Sequence, residues 1–141
     1  MPRSSARAAA VPTRPDTALD EVIRAAEFRA RLRNFEYESD RIAAEHGLTP
    51  RRYLLLLMIK GAPDGSERST ISELTERLRL EQHTVSELVA RAEQAGLVER
   101  ERSSDDRRVA YIGLTEDGEK RLLDSFRGLD ADRRALRELM A

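Results

Sequence analysis

Most of the chain carries apolar residues at helical spacing, and one short stretch near residue 100 alternates with period two. Asp16 to about His46 contains neither Gly nor Pro and predicts a single long helix. Its apolar positions fall into two stripes, Leu19, Val22, Ile23 and Ala26, then Phe28, Leu32, Phe35 and Ile42. At about 100° per residue the stripes point to nearly opposite sides. Such a helix needs two partners, its own domain for one half and a second subunit for the other. The alternative is a central helix inside one core. Gly47 supplies a stop, and Thr49-Pro50 is a cap followed by proline at the first helical position. The next helix, Arg51 to about Lys60, is apolar nearly all round and should be the buried centre.

Gly61 to Ser66 reads as a loop. A short helix follows from about Ser72 to Leu80, with Ile71, Leu74 and Leu78 inward and either Thr70 (with Glu73) or Ser72 as its cap. After a tight turn at Arg79 to Glu81, a further helix covers Gln82 to Ala95, with Val85, Leu88, Val89 and Ala92 as its apolar face and Gly96 as its stop. Leu97 to Arg102 and Arg108 to Leu114 then alternate around a polar tip, Ser103 to Arg107, which predicts a two-stranded hairpin. Thr115 caps a last helix toward Ala141, where Leu122, Phe126, Leu129, Arg133, Leu136 and Met140 recur at heptad-like spacings interrupted by Gly128 and Arg133. The expected fold is mainly α with a small β-hairpin, a winged helix-turn-helix with flanking N- and C-terminal dimerisation helices. Its expected divisions are an arm (1–15), a long helix (16–46), the winged domain (47–114) and the C-terminal helix (115–141).

Composition narrows the function. Residues 1–15 hold three Arg, three Pro and no acid, without periodic apolar positions, and read as a flexible arm. That arm is either a dispensable tail or a source of phosphate contacts. The chain has no stretch apolar enough to span a bilayer or act as a signal peptide, so a soluble cytoplasmic protein without membrane contact is expected. With no cysteine, thiol sensing is excluded; His46 and His83 alone are too few for a convincing His-based metal cluster, and no cofactor is expected. No nucleophile elbow, Gly-rich phosphate loop or metal-ligand spacing is present, so an enzyme is not expected. The formal charge is −1, so any affinity for nucleic acid must come from local placement of cations. Those cations are almost all arginine, Lys60 and Lys120 being the only lysines among 25 basic residues.

Two short helices joined by a tight turn and followed by a hairpin suit a DNA duplex. The second helix fits the major groove, and an arginine at the hairpin tip suits the neighbouring minor groove. The residues at this point also resemble a known family. The strings Leu78-Arg79-Leu80-Glu81-Gln82-His83-Thr84-Val85-Ser86-Glu87-Leu88-Val89 and Arg91-Ala92-Glu93-Gln94-Ala95-Gly96-Leu97-Val98 look like the recognition-helix signature of MarR-type (multiple antibiotic resistance) regulators. Asp106-Arg107-Arg108 and Leu114-Thr115-Glu116-Asp117-Gly118 look like that family's wing and its entry to the next helix.

The resemblance implies a transcriptional regulator of double-stranded DNA. It puts Gln82, His83 and Ser86 near bases or phosphates, Thr84 on a phosphate, Glu87 on the same exposed turns and Arg91 on the backbone. Arg108 becomes the minor-groove arginine, Asp106 the residue that fixes the wing tip, and Arg107 a phosphate contact. Arg100 and Arg102 share one strand face toward the backbone. His83 as a plain solvated residue stays open. From Arg77 to Arg108 seven arginines face seven acids, which predicts modest non-specific affinity.

A homodimer is expected, since one recognition helix reads too few base pairs and two spaced by a helical turn read a pseudo-palindrome. Candidate interface residues are Leu19, Ile23 and Ala26 with Phe126, Leu129, Leu136 and Met140. The resemblance also implies a small aromatic or anionic effector, for which Phe28, Arg31, Phe35, Tyr37, His46 and Tyr53 are candidate lining residues. The competing account is that the aromatics pack the core and Arg31 pairs with acids on its own helix. The rival function is a winged-helix protein-interaction module that does not bind DNA.

Overall fold

The computed structural model describes residues 17–106 and 108–141; the predicted arm at 1–15, Asp16 and Arg107 at the wing lie outside the described residues. Helix α1 (Thr17–Glu45) packs only its C-terminal half on the rest of the domain, through Ser39, Ile42 and Ala43. Helix α2 (Pro50–Lys60) begins where the Thr49 hydroxyl accepts the Arg52 amide at 3.2 Å. Tyr53, Leu55, Leu56 and Ile59 on α2 are buried, so this helix is the centre of the domain as its pattern predicts, although Leu54 stays exposed.

Helix α3 (Ile71–Leu78) starts with a capping box. The Thr70 hydroxyl accepts the Glu73 amide and the Glu73 carboxylate accepts the Thr70 amide, which settles the cap on Thr70 rather than Ser72. The chain then turns through Arg79 in the left-handed region, at φ 56°, and helix α4 (Gln82–Gln94) buries Val85, Val89 and Ala92 against α2 and α3. Each fully buried Val or Leu contributes roughly 1.5–3 kcal/mol. Packing therefore fixes the pitch of α4 more firmly than the residue preferences of its mostly polar outer face.

Strands β2 (Val98–Arg102) and β3 (Ala110–Leu114) form the predicted hairpin, antiparallel from Val98 opposite Leu114 to Arg102 opposite Ala110. A third strand, β1 (Arg68–Ser69), pairs with the other edge of β3 and gives the order β1-β3-β2. This strand was not foreseen, since two residues carry no readable alternation.

The C-terminal segment differs from the single predicted helix. It divides into α5 (Glu116–Arg127) and α6 (Asp130–Met140). The break falls at Gly128-Leu129, where Leu129 swings inward and is fully buried beside Ile42 and Leu122. The apparent heptad seam is thus two short helices. Leu129 belongs to the protomer's own core and is not available as a dimer contact. No helix among the described residues is long and apolar enough to cross a membrane.

Candidate nucleic-acid interface

Helix α4 begins at Glu81 and presents Gln82, His83 and Glu87 fully to solvent, with Thr84 and Ser86 half-exposed. His83 Nε2 lies 3.7 Å from Glu87 one turn on. Arg91 is exposed two turns from the start. These residues therefore share the outer surface of one helix whose inner face is locked into the core.

The wing is built from its own polar residues. Ser103 Oγ accepts the amides of Asp105 and Asp106, at 3.2 and 3.4 Å, and the Val109 amide donates to the Asp106 carbonyl. Asp106 Oδ1 accepts both the Arg108 amide at 3.0 Å and Arg108 Nε at 3.3 Å. The Arg108 side chain remains 92% exposed, so it projects from a tip whose backbone is pinned. Arg107, predicted for a phosphate, lies outside the described residues. Arg100 and Arg102 are exposed on β2. Arg100 Nε pairs with Glu93 of α4 at 3.0 Å, and Arg68 of β1 pairs with Glu101 while stacking 4.7 Å over the Tyr111 ring.

The acids counted against DNA binding are thus partly spent on these arginines. Exposed ion pairs of this kind contribute about 0–1 kcal/mol each, so a phosphate can displace the carboxylate at little cost. The wing and α4 are joined by Thr115, whose hydroxyl donates to the Gly96 carbonyl at 2.6 Å and accepts the Gly118 amide.

Behind this surface an apolar groove of about 450 Å³ opens between α1, α2 and the start of α6. Its floor includes Leu32, Phe35, Tyr53, Leu54 and Phe126, and Arg51 and Arg133 enter from the rim with Glu36 and Asp40. Arg133 lies 3.4 Å over the Phe126 ring and donates to the Phe126 carbonyl, so Phe126 is covered within its own protomer. Burial raises the Tyr53 phenol above its ordinary value, opposed by the Arg133 charge and the Ser39 hydroxyl.

Of the predicted effector contacts, Phe35 and Tyr53 line this groove. Arg31 lines a smaller neighbouring pocket against α6 and pairs with Glu27 at 2.9 Å. Phe28, Tyr37 and His46 line neither of these two cavities: Tyr37 is exposed, and the His46 carbonyl accepts from Arg121 at 3.3 Å. Sequence reasoning missed Arg133 and Arg51. Arg133 was visible only as a break in an apolar seam.

Residues 46–109 match the model of the MarR family. Over this segment the chain is similar to the MarR family. The organic hydroperoxide resistance transcriptional regulator of Bacillus subtilis is 38% identical over 71 residues, which are 50% of this chain and 46% of that protein. The chain therefore spans about half the length of this curated relative. Among solved structures, AbsC, a MarR family transcriptional regulator from Streptomyces coelicolor, superposes with a TM-score of 0.66 at 24% identity, over 89% of this chain and 82% of AbsC. A MarR mutant from E. coli complexed with operator DNA superposes with a TM-score of 0.63 at 18% identity, over 86% and 85%. Both structures share the MarR winged-helix fold that α3, α4 and the β2-β3 wing build here.

Proposed function

We propose that this chain is a cytoplasmic, sequence-specific double-stranded DNA-binding transcriptional regulator of the MarR family. It acts as a repressor, as a homodimer on a pseudo-palindromic operator, and is released by a small aromatic or anionic effector. The observation that carries the reading is the pairing of a polar, solvent-facing α4 with a wing whose tip is pinned by Asp106 and tipped by exposed Arg108. On a duplex, α4 enters the major groove through Gln82, His83 and Ser86, and Arg108 reaches the adjacent minor groove. A dimer is supported by Leu19, Val22 and Ile23, 50–62% exposed on the N-terminal half of α1, and by Met140, 68% exposed on α6. Ala26 is exposed beside the first set and Leu136 half-buried beside the second. The groove beside Arg51 and Arg133 is the effector seat that fits, and an effector is read there without a thiol, since the chain has no cysteine.

The test is Arg108→Ala, which removes a 92% exposed side chain whose hydrogen-bond partner among the described residues is Asp106, and so should leave the fold intact. DNA affinity should fall by about 1–3 kcal/mol, roughly 5- to 150-fold, with unchanged thermal stability. Undiminished binding would leave Arg108 without a role on DNA. No binding even by the wild-type chain would move the reading to a protein-interaction winged helix, which the carboxylate-paired Arg68 and Arg100 would then suit.

A further inference from the structure

We propose that the cleft between the start of α2 and the middle of α4 seats a DNA backbone phosphate, held by Arg51, Arg52 and Arg91. This inference rests on the regulator reading above and extends its footprint beyond the recognition helix and wing. The cleft has a volume of about 300 Å³ and is lined by Thr49, Arg51, Arg52, Thr84, Glu87 and Arg91. Three arginines line it beside Leu88 and a single carboxylate, Glu87, which lies 3.7 Å from His83.

What distinguishes these arginines is that they line one cleft together. Among the described residues, Arg68, Arg100 and Arg108 each pair with a carboxylate, whereas Arg51, Arg52 and Arg91 pair with none. In a chain of formal charge −1, uncompensated cations concentrated in one concave site create a local field that net charge does not reveal. Arginine forks match the tetrahedral oxygens of a phosphate two at a time. Hydroxyls complete the donor set: Thr49 accepts the Arg52 amide, which leaves its own proton to donate, and Thr84 lines the opposite wall.

Placement selects the duplex as the source of that phosphate. Thr84, Glu87 and Arg91, at i, i+3 and i+7, share one side of α4. That side adjoins the exposed face carrying Gln82, His83 and Ser86. A duplex lying on the latter face brings its sugar-phosphate ridge to the former.

The experiment compares the full-length wild type with Arg51→Ala/Arg52→Ala, both changes lying on a surface that carries none of the buried core. Affinity is measured across a salt series for a duplex enriched from a random library by the wild type, and for an unrelated duplex. The expected result is an equal loss of affinity on both duplexes, about tenfold at moderate salt. The slope of log K against log[salt] should shrink by about 1–2 per protomer, with melting temperature unchanged. Arg51→Lys/Arg52→Lys should restore most of the slope.

Wild-type binding with an unchanged slope in the Ala variant would overturn the phosphate seat while leaving the regulator reading intact. A loss confined to the enriched duplex would also overturn it, by making these arginines readers of sequence. Stabilisation of the wild type by inorganic phosphate, with no effect of the double variant on DNA, would assign the cleft to a free anion instead. A wild type that binds neither duplex overturns both readings.

Discussion

At the scale of the residue, Gly118 sits where α5 crosses the end of the strand that follows α4, and a Cβ there would overlap the Leu97 carbonyl. The obstacle is backbone, so it cannot swing aside. Gly118→Ala should destabilise the fold by at least the 1–3 kcal/mol typical of overpacking, read as a drop in melting temperature. The Leu114-Thr115-Glu116-Asp117-Gly118 string was legible as a motif. Its reason was not, because the constraint joins residues twenty-one apart that only the folded wing brings together. Arg133 and Gly128 show the same limit: they stood out as flaws in a seam, and the structure turns one into a lid on Phe126 and the other into a helix break.

Tyr53 gives a pH-dependent consequence. Burial raises its phenol above the ordinary value of 10.0, so the unfolded chain ionises first as pH rises. Stability from the neutral, buried phenol is complete below about pH 10 and is lost as pH climbs through the higher folded value. Tyr53→Phe should flatten the alkaline loss of stability, read by denaturant unfolding across a pH series.

Among the secondary-structure elements, the two helices of the reading motif begin differently. Helix α3 carries a complete capping box on Thr70 and Glu73, while α4 starts at Glu81 with no side-chain cap. Glutamate is one methylene too long to reach back to its own helix amides as aspartate does. Glu81→Asp should therefore stabilise the chain by about 0.5–1 kcal/mol, and Thr70→Ala should destabilise it by about 1 kcal/mol, both measurable by denaturant unfolding. The helices through α4 were readable from periodicity, and glycines mark the stops of α1, α2 and α4, because each such signal lies within one turn of the residues it governs. Helix α3 stops instead at Leu78, on Arg79 in the left-handed region, two residues short of the expected Leu80. Strand β1 and the α5-α6 break were not readable. A two-residue strand exists only because β3 offers it an edge, and Leu129 turns inward into the same core that holds Ile42 of α1.

For the molecule as a whole, function rests on how a nearly neutral chain distributes its arginines. Many of its cations are neutralised by carboxylates on the wing and on α1, so few counterions are displaced when DNA docks. If the wild type binds DNA as proposed, its salt slope should accordingly fall well short of the value near −10 of a strongly basic repressor. Arg51 then acquires a particular position, because it borders both the basic cleft facing DNA and the apolar groove behind it. One side chain cannot extend into both cavities at once, so an anion seated in the groove would draw the Arg51 guanidinium away from a phosphate in the cleft. A ligand shifts DNA affinity only through such a difference between its bound and free states. An aromatic carboxylate added to the wild-type complex should therefore raise the dissociation constant for DNA. In Arg51→Ala the starting affinity should already be lower and the carboxylate should change it no further. An unaltered response in Arg51→Ala would place the coupling elsewhere, with Arg133 as the remaining cation in the groove.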